Sequence, residues 1–143
     1  DDSTVVIDGE TLGNTQYMAY VIQETVGADI FRIEPETPYP TDHDELVDLA
    51  SEEQSNNARP AIKDTIENFD TYENIFVGYP NWWGEVLDGK SISRNDIQDA
   101  EQEIVDWVNS LDLKQAEEQP DSSAEAQQPT MGRFLYLCRF GYE

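Results

Sequence analysis

Apolar side chains recur every three or four positions between residues 15 and 25, in the segment TQYMAYVIQET. This period predicts an amphipathic helix, and we expect Asn14 to be its N-cap and Gly27 to end it. A run rich in β-branched and aromatic residues follows at 29–34 and predicts a short strand, which Pro35 closes. The segment before the helix, DDSTVVIDGETL, is too polar to be a central strand.

The middle of the chain shows the same alternation of helical and strand patterns. A helix with Thr41 as its N-cap is predicted next, because acidic residues occupy its first turn and apolar residues follow at helical spacing. The near-continuous apolar run at 74–79 is typical of a strand that is covered on both faces. A short strand is predicted at 86–92, and the clearest amphipathic pattern of the chain predicts a helix at 93–111.

The C-terminal part changes character twice. Residues 114–130 are polar and of low complexity, which is typical of a linker. The segment RFLYLCRF then predicts a strand at 134–140. We therefore expect a core at 1–113, the linker, and a C-terminal segment at 131–143 whose strand completes the same domain. Alternating helices and apolar strands predict an α/β fold with a parallel sheet.

Charge restricts the partners of this chain. Lysine and arginine total 8 while aspartate and glutamate total 31, so the formal net charge is −23. Such a surface repels nucleic acid and anionic membranes, and it permits docking of a basic protein. A solvated acidic surface without a partner is the simpler interpretation. No apolar run is long enough for a membrane span.

Neither metal chemistry nor nucleophilic catalysis is indicated. The chain has one cysteine, Cys138, and one histidine, His43. Neither a disulfide nor a cysteine-based metal site can form within one chain, and no His-based triad or zinc site is expected. We expect His43 to be solvated at a helix start and Cys138 to be an inert thiol in an apolar strand. No catalytic acid, base or nucleophile is predicted.

Six segments, in this order, resemble flavodoxin-like FMN proteins: GNTQ, GADIFRIEPETPYP, DELVDLASEEQ, ARPAI, YENIFVGYPNWWG and EIVDWVNSL. The chain is most similar to the bacterial subgroup with the P-x-W-W-G motif, and the resemblance covers about residues 11–112. It implies a three-layer fold around a parallel sheet of strand order 2-1-3-4-5, with FMN bound at the switch point. The strands at 29–34, 74–79 and 86–92 would be the second, third and fifth.

Two departures from the family pattern change the expected fold. No strand precedes GNTQ, and RFLYLCRF resembles the missing first strand, which implies a circularly permuted chain with this strand at the centre. An unrelated strand on the sheet edge is the alternative. The helix, fourth strand and helix that the family has between WWG and the fifth strand are absent. We therefore expect a permuted and incomplete flavodoxin-like sheet, with Asp1 and Glu143 near the start of the first helix.

The resemblance also implies where FMN would be held. A helix N-terminus holds phosphate through its backbone N–H groups and dipole, and aromatic side chains after the third strand can stack on the flavin ring. Glu10 and Leu12 stand where the family has hydroxyl residues, so we expect weak FMN binding or none. The residues implied are Thr11, Gly13, Asn14, Thr15 and Gln16 at the phosphate and Tyr79, Pro80, Asn81, Trp82, Trp83 and Gly84 at the ring.

The function that this resemblance implies is electron transfer by bound FMN, with a redox protein as partner. The acidic surface favours a basic partner protein. Two alternatives stay open. One is a flavin-dependent oxidoreductase that uses NAD(P)H to reduce quinones or similar acceptors. The other is a cofactor-free scaffold or binding module of the same fold. A cytoplasmic location is the default, and the polar linker keeps an extracytoplasmic tethered form open.

Overall fold

The structure, a computed structural model, describes residues 4–80 and 89–113 and the backbone of residues 134–138. The predicted linker and residues 1 and 143 lie outside these ranges. Short 3-10 turns at Phe69–Thr71 and Ile97–Asp99 accompany the longer elements. In chain order these are β1 (Thr4–Ile7), β2 (Glu10–Gly13), α1 (Asn14–Val26), β3 (Asp29–Arg32), α2 (His43–Ser55), β4 (Asn74–Gly78), α3 (Glu101–Ser110) and β5 (Phe134–Cys138).

A β-hairpin that we did not predict opens the described part of the chain. β1 and β2 pair antiparallel, with Val5 opposite Leu12. Asp8 and Gly9 form the turn, with φ of 51° and 85°. Two-residue hairpin turns of type I′ require this left-handed backbone, and Asp-Gly adopts it readily. Val5 and Leu12 are buried in the core, so the few apolar residues of this polar segment stabilise a separate two-stranded sheet.

A three-stranded parallel sheet forms the centre of the described fold, and together with the helices it confirms the α/β class. Its strand order is β3-β5-β4, and β5 runs parallel to both neighbours. Phe31, Leu137 and Val77 lie side by side in register. The predicted central place of the C-terminal strand is therefore confirmed, and the alternative of an edge strand is wrong. β4 ends at Gly78, one residue earlier than predicted.

β3 is shorter than predicted because the chain leaves the sheet after Arg32. The following residues pair with a different segment instead. The Lys63 backbone N–H donates to the Glu34 carbonyl oxygen at 2.9 Å, and an isolated antiparallel bridge joins Pro35 to Ile62. The backbone groups beyond β3 thus find partners outside the parallel sheet, which ends the strand early.

The start of α2 also differs from the prediction. Asp42, and not Thr41, is the N-cap, since its carboxylate accepts the backbone N–H groups of Asp44 and Glu45 at 3.0 and 3.1 Å. A carboxylate accepts these bonds more strongly than a hydroxyl and also complements the helix dipole. His43, the first residue of α2, is exposed as predicted.

α3 begins later than the amphipathic pattern indicates. The prediction of a helix from residue 93 is wrong at its start, because the chain forms a turn and the 3-10 turn Ile97–Asp99 before α3 starts at Glu101. Residues 89–92 of the predicted 86–92 strand belong to no strand, and 86–88 lie outside the described ranges. No helix within those ranges is long and apolar enough to cross a membrane.

The main core lies between the parallel sheet and helices α1 and α3. Phe76 of β4 packs edge-on against Trp107 of α3, with ring centres 6.1 Å apart and planes at 70°. Ile22 of α1 and Ile104 and Val108 of α3 are the largest fully buried side chains among the described residues. α1 and α3 therefore form one helical layer that covers one face of the sheet.

Candidate functional site

The site predicted for a phosphate begins where β2 passes directly into α1. Gly13 is the N-cap, with an extended backbone (φ −64°, ψ 145°), and it is also the last residue of β2, paired with Thr4. Gln16 Oε1 accepts the Gly13 backbone N–H at 3.2 Å. The prediction of Asn14 as N-cap is wrong: because the β2 pairing holds Gly13 extended, the helix starts one residue early, and Asn14 is its first residue.

Asn14 carries a buried amide oxygen, Oδ1, that has no hydrogen-bond partner in the part of the chain that the structure describes. An amide oxygen can only accept a hydrogen bond, so this atom lacks a donor. A buried polar atom without a partner destabilises a fold by about 1–3 kcal/mol. A bound molecule that supplies the donor would remove this penalty.

The other polar side chains at this helix start are partly engaged. Gln16 Nε2 donates to the Tyr20 hydroxyl at 2.8 Å, so both ends of the Gln16 amide have partners. Thr15 is partly buried, and Thr11 is exposed on β2, opposite Val6. Tyr20 was not predicted as part of the site. Its i+4 spacing from Gln16 is the sequence signal that would have indicated it.

The two residues that depart from the family pattern belong to the hairpin. Leu12 is buried in the core, and Glu10 is exposed beside the turn. Since side chains alternate along a strand, Thr11 lies on the opposite, solvent face of β2. Leu12 therefore stabilises the hairpin, and the missing hydroxyl at this position follows from its place in the core.

Two features place the start of α1 at the carboxyl edge of the parallel sheet. α1 packs on all three strands, and only Gly27 and Ala28 separate its end from β3. Gly27 ends α1 as predicted, with a left-handed backbone (φ 70°). α1 therefore runs antiparallel to the strands. Its 13 residues span ~20 Å, more than the ~13 Å of the four-residue β3, so its N-terminus reaches the edge where the strands end.

The residues after β4 leave the sheet at the same edge. Tyr79, which is partly exposed, and Pro80 directly follow the last residue of β4. The predicted phosphate residues at the start of α1 and these two ring residues are therefore brought to one edge of the sheet. The remaining predicted ring residues lie outside the described ranges, and they are Asn81, Trp82, Trp83 and Gly84.

Tyr17, a residue of α1, has a clearly perturbed pKa. Burial raises the pKa of Tyr17 above its ordinary value of 10.0, and the carboxylates of Glu101 and Asp8 raise it further. The buried phenol therefore stays neutral throughout the physiological range. Within the described ranges, no cluster of three or more histidine, cysteine, aspartate or glutamate side chains could hold a metal ion.

A second concave surface lies in the segments around α2. It is a cleft of about 430 Å³ between the loop after β3, α2 and the segment that follows α2. Inside it the Tyr39 hydroxyl donates to the Glu53 carboxylate at 2.8 Å. The Arg59 guanidinium donates to the carbonyl oxygens of Asn57 and Ala58 at 3.1 and 2.8 Å. These polar groups have partners within the protein, and none of the residues predicted for FMN lines this cleft.

These features define an α/β protein whose sheet has a helix N-terminus and the segment after β4 at one carboxyl edge. A family model described as Flavodoxin matches residues 5–88, which is more than half of the chain. The chain therefore belongs to the flavodoxin family. No curated protein and no solved structure matches it. The matched range includes β1 to β4, whereas α3 and β5 lie beyond it.

Proposed function

We propose that this chain is an FMN-binding electron-transfer protein. The observation that carries the proposal is the arrangement at the carboxyl edge of the β3-β5-β4 sheet, where α1 begins and where the chain leaves β4. In open α/β sheets, ligands bind outside the carboxyl ends of the strands. Membership of the flavodoxin family over residues 5–88 supports FMN as the ligand.

The proposal includes a circular permutation. The order β3-β5-β4 corresponds to the 2-1-3 part of the flavodoxin order when β5 takes the place of the first strand. The β1–β2 hairpin then leads into α1 where that strand would normally do so. We also propose that the chain belongs to the bacterial subgroup with the P-x-W-W-G motif. Its three-layer fold would then lack the segment around the fourth strand.

The residues at the start of α1 carry the types of hydrogen-bonding groups that the phosphate and ribityl chain of FMN need. The N–H groups of the first turn and the positive end of the helix dipole favour a phosphate, and Thr11 and Thr15 carry hydroxyl donors. A ribityl hydroxyl would supply the donor that Asn14 Oδ1 lacks. With the amide turned over, the Asn14 NH₂ group would donate to the phosphate instead. We assign the flavin ring to Tyr79, Pro80, Asn81, Trp82, Trp83 and Gly84.

Bound FMN supplies the redox chemistry, while the protein binds and orients it and sets the charge around it. The proposal requires no side chain as acid, base or nucleophile. The net charge of −23 opposes additional negative charge on a reduced flavin, which lowers its potential. The same charge favours a basic redox protein as the partner.

We expect the affinity for FMN to be low. The Gly13 N–H already donates to Gln16, Glu10 is exposed in the strand that leads to the site, and the net charge repels a phosphate dianion. Titration of the full chain with FMN, followed by flavin fluorescence, should give a Kd of about 1 µM to 1 mM. Glu10→Gln should tighten binding. Glu24→Gln removes an exposed carboxylate near the far end of α1 and should leave the Kd unchanged.

Three outcomes distinguish the candidate functions. Sub-micromolar binding would contradict the low affinity while supporting the function. No binding at millimolar FMN would overturn the proposal in favour of a cofactor-free scaffold. The hydrogen bond from the Gly13 N–H to Gln16 Oε1 supports that alternative, because it occupies a donor that a phosphate needs. Oxidation of NAD(P)H by the FMN-loaded protein would favour the acceptor reductase over a pure electron carrier.

A further inference from the structure

The parallel sheet has one face covered by helices and another that the solvent reaches. Phe76 and Ile30 pack toward α1 and α3. Because side chains alternate along a strand, Ile75, Val77 and, by its register, Phe31 lie on the opposite face. Ile75 is 40% exposed and Val77 is 54% exposed. We call Phe31, Ile75 and Val77 the open face.

Parallel sheets in proteins are normally covered on both faces, and the cover is almost always helical. An apolar stripe on a helix packs against the side chains of the sheet and removes them from water. Ile75 and Val77 are exposed, so no helix within the described ranges covers this part of the open face. A helix with an apolar stripe is therefore the element whose shape and chemistry suit it.

Acidic residues lie at the amino edge of the open face. Exposed Glu73 directly precedes β4 and, because side chains alternate along the chain, lies on the same face as Ile75. Exposed Asp29 lies in register with Ile75 through β5, at the amino edge of the same face. A second copy of this chain would bring another net charge of −23 to the contact, which like-charge repulsion opposes.

We propose that the open face docks an amphipathic helix of another protein, one with an apolar stripe on the sheet and lysine or arginine toward the acidic amino edge. The apolar stripe covers Ile75 and Val77, and the basic side chains complement Glu73 and Asp29 at the amino edge of this face. This docking does not depend on FMN, because the open face consists of other residues than the predicted cofactor site.

The probe is a synthetic helix of about 18 residues, or five turns, with leucine on one face and lysine on the other. Its binding to the full chain is measured by fluorescence anisotropy at ~0.15 M salt, which screens long-range attraction. We expect saturable one-to-one binding. A peptide of the same composition with scrambled order should bind about tenfold more weakly, because it carries the same charge without an apolar stripe. A leucine–glutamate helix should not bind.

Val77 and Val6 provide a matched pair of substitutions. Both are strand valines with 54% exposure, and Val6 lies in the β1–β2 hairpin. The Ile75→Thr/Val77→Thr double variant keeps β-branched side chains while it removes apolar surface. It should weaken binding of the leucine–lysine peptide about tenfold, whereas Val6→Thr should change the Kd by less than about twofold. Circular dichroism checks that both variants remain folded.

Two results would overturn the proposal, besides an absence of saturable binding. Binding that neither Val6→Thr nor the double variant weakens would show attraction to charge alone. Self-association of the wild type in sedimentation, relieved by the double variant, would identify a second copy as the occupant. Loss of FMN binding in the titration above would leave peptide binding unchanged, so the two proposals fail separately.

Discussion

Replacing Asn14 by alanine should stabilise the FMN-free protein and weaken its binding of FMN. Asn14 Oδ1 is buried and lacks a hydrogen-bond partner within the described residues. Alanine removes this desolvated acceptor and leaves the first turn of α1 with a better helix former. The same amide is the group that we assign to the polar end of FMN, so binding and stability should change in opposite directions.

Three contributions set the size of the effect. Removing an unpaired buried acceptor returns about 1–3 kcal/mol. The higher helix propensity of alanine adds up to about 0.7 kcal/mol in a helix interior and less at the first position. The lost contacts of the amide carbon subtract about 0.8 kcal/mol. The net expectation is a free energy of unfolding that is higher by about 1–2 kcal/mol.

Urea unfolding followed by circular dichroism measures this change. Asn109→Ala is the control, because Asn109 is an exposed helical residue of α3 and reports propensity without a buried oxygen. Asn14→Ala should exceed this control by about 1 kcal/mol. With FMN in excess the advantage should shrink or reverse, since the wild type then gains binding free energy. A gain no larger than that of Asn109→Ala would refute the reasoning that Oδ1 is unpaired.

Three further predictions concern the core, pH and salt. Ile104→Ala should lower the free energy of unfolding by about 2–5 kcal/mol, because Ile104 is wholly buried in the α1–α3 layer; a loss as small as that of Val6→Ala at the surface would contradict this packing. Stability should decline above about pH 10, since unfolded tyrosine loses its proton at 10.0 whereas the raised pKa of Tyr17 keeps the folded phenol protonated. The stabilisation that the protonated Tyr17 phenol contributes to the folded state is present below the unfolded pKa and is lost as pH rises through the folded pKa. Tyr17→Phe should make urea midpoints less dependent on pH between about 8 and 11. Raising NaCl from about 0.1 to 1 M shortens the Debye length from ~10 to ~3 Å, which should raise the thermal midpoint of a chain with net charge −23; an unchanged midpoint would show that self-repulsion is negligible.

The features that the sequence predicted well depend on local rules. The helical period around Met18 and Ile22, and Gly27 as its stop, predict α1 to within one residue at each end. The uncharged run of β5 predicts a strand with neighbours on both sides, and the structure puts it between β3 and β4. Of the candidate site, the start of α1 and the segment after β4 could be predicted, because each directly follows or precedes a strongly patterned element.

Other features depend on which segments meet. Asp8-Gly9 is a local signal for a hairpin turn. Two isolated apolar residues, Val5 and Leu12, stabilise the flanking strands only because they are buried in the core. Pairing of β2 with β1 moves the N-cap of α1 from Asn14 to Gly13.

The same dependence on distant segments decides where β3 ends and what Asn14 contacts. β3 stops at Arg32 because the chain beyond it pairs with the segment around Ile62. Sequence alone therefore determined the elements with a strong period and the excess of negative charge. Only the tertiary structure decided the caps, the strand ends, the open face, and that the Asn14 oxygen has no partner among the described residues. Each of these depends on whether a distant segment supplies a hydrogen-bond partner or an apolar surface.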